Sequence, residues 1–210
     1  RALSLYEETL KRMQTNLPPG HPFTLMAMHG LGVDYFGAGR YHEARALFEE
    51  ALRLSNTFLG PDHPDTLRPK LHLGFAKAEA GEYDQALPLM EDALDRMKVT
   101  LGPDHPNTLS AMHLLALASQ EAGKPAKAEA LWRDRLAAVR QRNPSDPSKL
   151  VGPVNDLVGA LLRQNKHGEA EELLEEVLSG PMRDVPEGAG LFRSRGQLRA
   201  RRGAFADAAD

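Results

Sequence analysis

The chain writes nearly the same nine residues twice, LGPDHPDTL at Leu59–Leu67 and LGPDHPNTL at Leu101–Leu109, a step of 42 positions. A fixed step of this size makes the chain an array of like units and not one irregular core. Stepping back by the same amount reaches LPPGHPFTL at Leu17–Leu25; stepping forward reaches a worn copy, NPSDPSKLV at Asn143–Val151. A second signature keeps the register: AGRYHEA at Ala38–Ala44, AGEYDQA at Ala80–Ala86, AGKPAKA at Ala122–Ala128 and QNKHGEA at Gln164–Ala170. A fifth copy, RGAFADA at Arg202–Ala208, follows after 38 residues. At the front, ALSLYEETL at Ala2–Leu10 aligns with ARALFEEAL at Ala44–Leu52.

This register predicts a single array with a partial unit at 1–16, units at 17–58, 59–100, 101–142 and 143–180, and a shorter, irregular last unit at 181–210. Both ends then fall inside a unit, as expected of a piece of a longer protein. Within a unit the apolar spacing is helical. Leu47, Phe48, Ala51 and Leu52 stand at i, i+1, i+4 and i+5, and Leu89, Met90, Ala93 and Leu94 repeat them. Trp132 takes the place of Phe48 and Met90, which makes it a core residue. No stretch alternates as a strand would. Each unit therefore reads as two antiparallel helices, with Gly39, Gly81 and Gly123 ending the first in the left-handed conformation that glycine tolerates.

The nonapeptide is then a joint. Gly60–Pro61 stops one helix, Asp62 or His63 caps the next, and Pro64 suits a first helical position, where its missing N–H costs nothing. The equivalent histidines, His21, His63 and His105, are separated by at least one helix packing distance of ~8–10 Å. A zinc ion needs all its ligand atoms within ~2 Å of one centre. Equivalent joints cannot share a metal, so neither a metal site nor a cofactor is expected. HExxH, P-loop, GxSxG and GxGxxG patterns are lacking, and with them any signal for an enzyme in this chain.

Composition narrows the partners. The hydrophobic share of 41% and charged share of 26% are those of a foldable chain, and a net charge of −3 gives no reason to expect nucleic acid or an anionic membrane. No apolar run approaches the ~18–20 residues that span a bilayer. Without cysteine there is no disulfide or thiolate chemistry, which by itself leaves the compartment open; a cytoplasmic location is the expectation.

The pattern L-G…A-x-x-G-x-Y-x-x-A…A-L resembles the tetratricopeptide repeat, and the 42-residue step with LGPDHPDTL between units looks most like the variant of kinesin light chains. The resemblance covers the whole chain. It implies an all-α fold, a right-handed superhelical solenoid of antiparallel helix pairs, whose first helices line a concave face. Departures from the pattern fall late: Gly32 and Gly74 become Ala116 and Val158, and Tyr41 and Tyr83 become Pro125 and His167.

Aligned on Leu31, Leu73, Leu115 and Leu157, the resemblance assigns a peptide-binding groove to His29, Val33, Arg68, Leu71, His72, Phe75, His113, Leu117, Asn155 and Asp156. Apolar patches, imidazoles and an amide suit an extended peptide. Some members clamp a peptide carboxylate with Lys and Asn; the aligned His29, Val33, His72, Ser110 and Leu114 make no such clamp. Kinesin light chains carry paired Asn in the groove, which only Asn155–Asp156 approaches. Separately, Arg193, Arg195, Arg199, Arg201 and Arg202 form a run without acids that either meets an anion or is a solvated helix face paired with Glu169–Glu176.

The function expected is a non-catalytic scaffold for a protein or peptide. The alternatives are a regulatory or sensor region of a larger signalling enzyme, such as a bacterial serine/threonine kinase or an NTPase, and self-association through the uncapped apolar residues Leu3, Leu5 and Leu10.

Overall fold

The computed structural model describes residues 2–180 and 185–207. It is all-α, with no strand among the described residues. Its helices are α1 (Ala2–Asn16), α2 (Pro22–Gly37), α3 (Tyr41–Phe58), α4 (Pro64–Glu79), α5 (Tyr83–Thr100), α6 (Pro106–Glu121), α7 (Pro125–Arg142), α8 (Val151–Arg163), α9 (His167–Ser179) and α10 (Ala189–Asp207). Short 3-10 turns at Pro147–Leu150 and Pro186–Gly188 precede α8 and α10. The helices group into two compact units, Arg1–Gly123 and Lys124–Asp210.

In the first unit each helix packs on its successor from α1 to α6, and the first helices α2, α4 and α6 also touch one another in order. The joints that set this up are chemical. His21, His63 and His105 are the N-caps of α2, α4 and α6, and each imidazole accepts the backbone N–H two residues on. For His63 the acceptor is Nδ1, 3.1 Å from the Asp65 nitrogen. That satisfies one of the donors a helix start leaves unmet. The proline after each histidine occupies the first helical turn as expected. Asp62 has a different role: its carboxylate takes Arg96 at 2.6 Å. At the other end of each first helix, Gly39, Gly81 and Gly123 have φ of 76°, 79° and 72°. In the worn fourth unit Asn165 takes this place at φ 59°, a conformation asparagine tolerates better than most residues.

Two close approaches lock helix to helix. A Cβ built on Gly32 would lie 2.6 Å from Phe48 Cε1, and one on Gly74 would overlap Met90. Phe48 and Met90 are fully buried, so the glycines let a large second-helix side chain come up against first-helix backbone. Burying one such side chain stabilises the fold by ~1.5–3 kcal/mol. The core runs on through Met28, Leu31, Tyr35, Ala51 and Leu73.

In the second unit α7 packs on α8, α8 on α9, and α9 on α10. Leu157, Leu161, Leu174 and Leu191 are its fully buried large side chains, and Trp132 is a core residue at 3% exposure. Where NPSDPS replaces the regular joint, a hollow of about 240 Å³ remains between Asn143, Pro147 and Val177.

Candidate functional site

The middles of α2 and α4 meet through two imidazoles. His72 Nδ1 lies 3.0 Å from the Arg68 carbonyl oxygen and 3.1 Å from His29 Nε2. A carbonyl only accepts, so His72 carries its proton on Nδ1 and shares it with both; His29 Nε2 is the acceptor and His29 bears its own proton on Nδ1. The rings meet edge to face at 4.7 Å, and both lie within 6 Å of the Phe48 ring. Burial, then His72, then the Arg68 charge, push the His29 imidazole down to about 3. Burial also holds His72 below the usual imidazole range. The pair is neutral and half-buried, and His29 also borders the surface between α1 and α2.

The expected groove is therefore narrower than the sequence implies. Leu71, counted among its apolar contacts, is 2% exposed and belongs to the core. The reason is that α4 is flanked by α2, α3, α5 and α6, which leaves it a slimmer free stripe than a helix with fewer neighbours. Arg68 pairs with Asp65 one turn back, and its buried Nε has no partner among the described residues. Val33 remains open at 39% exposure, and Phe75, His113 and Leu117 are half-buried.

Two hollows flank this stripe within the first unit. One, of about 530 Å³, lies between α1 and α2 and is lined by Tyr6, Thr9, Met13, His29, Gly30 and Val33. The other, of about 410 Å³, lies between α4, the start of α5 and α6, where Phe75, Tyr83 and Leu117 meet Glu79 and Glu121. An aromatic row leads into it: Tyr41 stands edge-on to Phe36 at 5.1 Å, and Phe36 lies 5.3 Å from Phe75. Phe36, Tyr41, Tyr83, Glu79 and Glu121 were not among the expected site residues. They sit at helix ends: Tyr41 and Tyr83 inside the AGRYHEA-type signature, whose recurrence reads as packing, and Phe36, Glu79 and Glu121 just ahead of it.

In the second unit Asn155 is exposed, whereas Asp156 accepts Arg135 Nη1 at 2.5 Å. Of the arginine run, Arg195 lies 3.5 Å from Glu175 and over the Phe192 ring at 5.3 Å. Arg193 is exposed. The side chains of Arg199, Arg201 and Arg202 lie outside those described.

Three family models described as tetratricopeptide repeat match the sequence, over residues 24–65, 65–141 and 155–210. No curated protein matches it. Among solved structures, a kinesin light chain-like protein of Podosopora anserina with nearly identical TPR-like repeats is similar at 26% identity and a TM-score of 0.71, over 88% of each chain. A point variant of that protein is similar at 25% identity and a TM-score of 0.70, over 91% of this chain and 87% of that one. A Rap protein complexed with Competence and Sporulation Factor shares the fold at 12% identity and a TM-score of 0.72, over 90% of this chain and 49% of that one.

Proposed function

The chain belongs to the tetratricopeptide repeat family, of the kinesin light chain-like type, and on that premise we propose that it is a non-catalytic scaffold that holds a peptide or protein segment along its first helices. The observation that carries this reading is the open stripe of α2, α4 and α6. Val33, Phe75 and Leu117 stay accessible there between two hollows of about 530 and 410 Å³, although the core beneath them is closed. Apolar and aromatic surface left open on an ordered helix layer marks an interaction site. The Rap protein, alike in fold, is complexed with Competence and Sporulation Factor, which supports a binding role for such a fold. His29 and His72, held neutral by burial, contribute by position more than by charge. A cytoplasmic location belongs to this reading; no described helix is long and apolar enough to cross a membrane.

Amide hydrogen exchange tests it. The 210-residue chain is compared alone and with a pooled random nonapeptide library. Added protection at 29–33, 72–75 and 113–117 is the expected result. Unchanged exchange there would sink the reading.

One observation favours self-association as a second reading. Tyr6 stands at the repeat position of the fully buried Phe48 and Met90 and is itself 55% exposed, beside Leu5. Sedimentation at rising concentration decides it: a monomer at all concentrations removes this reading.

A further inference from the structure

We infer that the hollow between α4 and α6 takes a basic side chain, a Lys or Arg of the bound peptide; the inference rests on the peptide-scaffold reading and adds the chemistry of one pocket. Three features converge there. Glu79 is the last residue of α4 and Glu121 the last of α6, so both carboxylates stand at helix C-termini. A helix C-terminus already carries about half a negative charge, and an acid there is in the less favourable place for the helix itself. An acid that breaks this local rule without an evident compensating gain is a functional candidate, and Glu79 is such an acid. The cation nearest along α4, Lys77, is engaged elsewhere, at 3.2 Å from Glu82 and 2.9 Å from Gln85. Glu79 has no ion pair among the described residues.

The walls fit the same occupant. Phe75 and Tyr83 present aromatic rings and Leu117 an aliphatic edge, while the floor is closed by the buried Ala78 and Ala118. A Lys or Arg side chain pairs an apolar stem with a charged head; the stem lies along the rings and the head reaches the carboxylates. About 410 Å³ accommodates one such side chain with room for water. An acidic or C-terminal carboxylate group would meet four like-signed features: two carboxylates and two helix ends. The pocket thus selects against it.

The test uses four pools of fluorescein-labelled nonapeptides, with Lys, Arg, Gln or Glu fixed at the central position and the rest randomised. Anisotropy titrations with the 210-residue chain are run at low and high salt. The expected result is binding of the Lys and Arg pools at least about tenfold tighter than the Glu pool, weakened by salt. The double variant Glu79→Gln, Glu121→Gln removes that preference, and Glu79→Gln alone lowers it with an unfolding midpoint equal to or above that of the parent. Peptides that bind with no preference for the basic pools, or a preference that survives the double substitution, overturn the inference and leave the scaffold reading standing. Binding by none of the pools overturns both.

Discussion

His29 Nε2 lies 3.1 Å from His72 Nδ1, and burial is the main cause that keeps both imidazoles neutral. His29 titrates at about 3 in the folded chain against ~6.5 unfolded. Between those values the unfolded chain binds the extra proton. The stabilisation is thus complete above pH ~6.5 and is lost as pH falls toward 3, with a slope of at most ~1.4 kcal/mol per pH unit from this group. Urea melts at pH 7.5, 6.5 and 5.5 should show falling stability. His29→Leu, the residue that Leu71 places at the same repeat position, should flatten the slope; equal slopes would rule out His29 as its source.

Gly32 and Gly30 sit two residues apart on one helix and should respond oppositely to alanine. The new methyl at Gly32 meets Phe48 Cε1 at 2.6 Å, against a ring with no exposed surface to move into. Gly32→Ala should cost about 1–3 kcal/mol even after the gain in helix propensity. At Gly30 nothing lies within 4 Å, so Gly30→Ala should stabilise by about 0.5–1 kcal/mol. Thermal unfolding of the two variants side by side reads the sign directly.

The capping histidines offer a separable test. His63→Ala removes the acceptor for the Asp65 N–H and should cost about 1 kcal/mol, whereas His63→Asn, a strong N-cap residue, should restore it. Chemical denaturation midpoints of both variants check this; an Asn variant as unstable as the Ala one would show that the imidazole acts by packing and not as a cap.

These caps were legible because their logic is local: a glycine, a polar residue and a proline within five positions specify a stop and a start whatever surrounds them. The histidine pair was not. His29 and Leu71 are equivalent by the 42-residue step, yet His29 meets His72, one position further on, because neighbouring helices cross in a register that periodicity does not encode. Leu71 was misplaced for the same reason: exposure on α4 depends on four flanking helices. The acidic hollow at the ends of α4 and α6 escaped because the expected groove was anchored on mid-helix leucines.

Glu129 in α7 tests whether a worn repeat can be restored. It is 8% exposed and accepts Lys166 Nζ at 2.7 Å, Arg133 Nε at 2.9 Å and Gln164 Nε2 at 3.0 Å. Burial pushes its carboxyl up, but the bonds from Lys166 and Arg133 outweigh this and hold it below the usual carboxylate range. Truncation to Ala removes three acceptor contacts and leaves a gap. Its partners are 38% and 47% exposed and rehydrate, which limits the cost to about 1–2 kcal/mol. One repeat earlier the same position holds Leu87, buried at 2%. Glu129→Leu replaces the charged cluster with apolar contact, an exchange that is often neutral or stabilising when the freed charges reach water. Calorimetry of the two variants should therefore place the Leu chain near the parent and the Ala chain clearly below it. A Leu variant as unstable as the Ala one would mean that the charge cluster, and not burial at this repeat position, holds α7 to the start of α9.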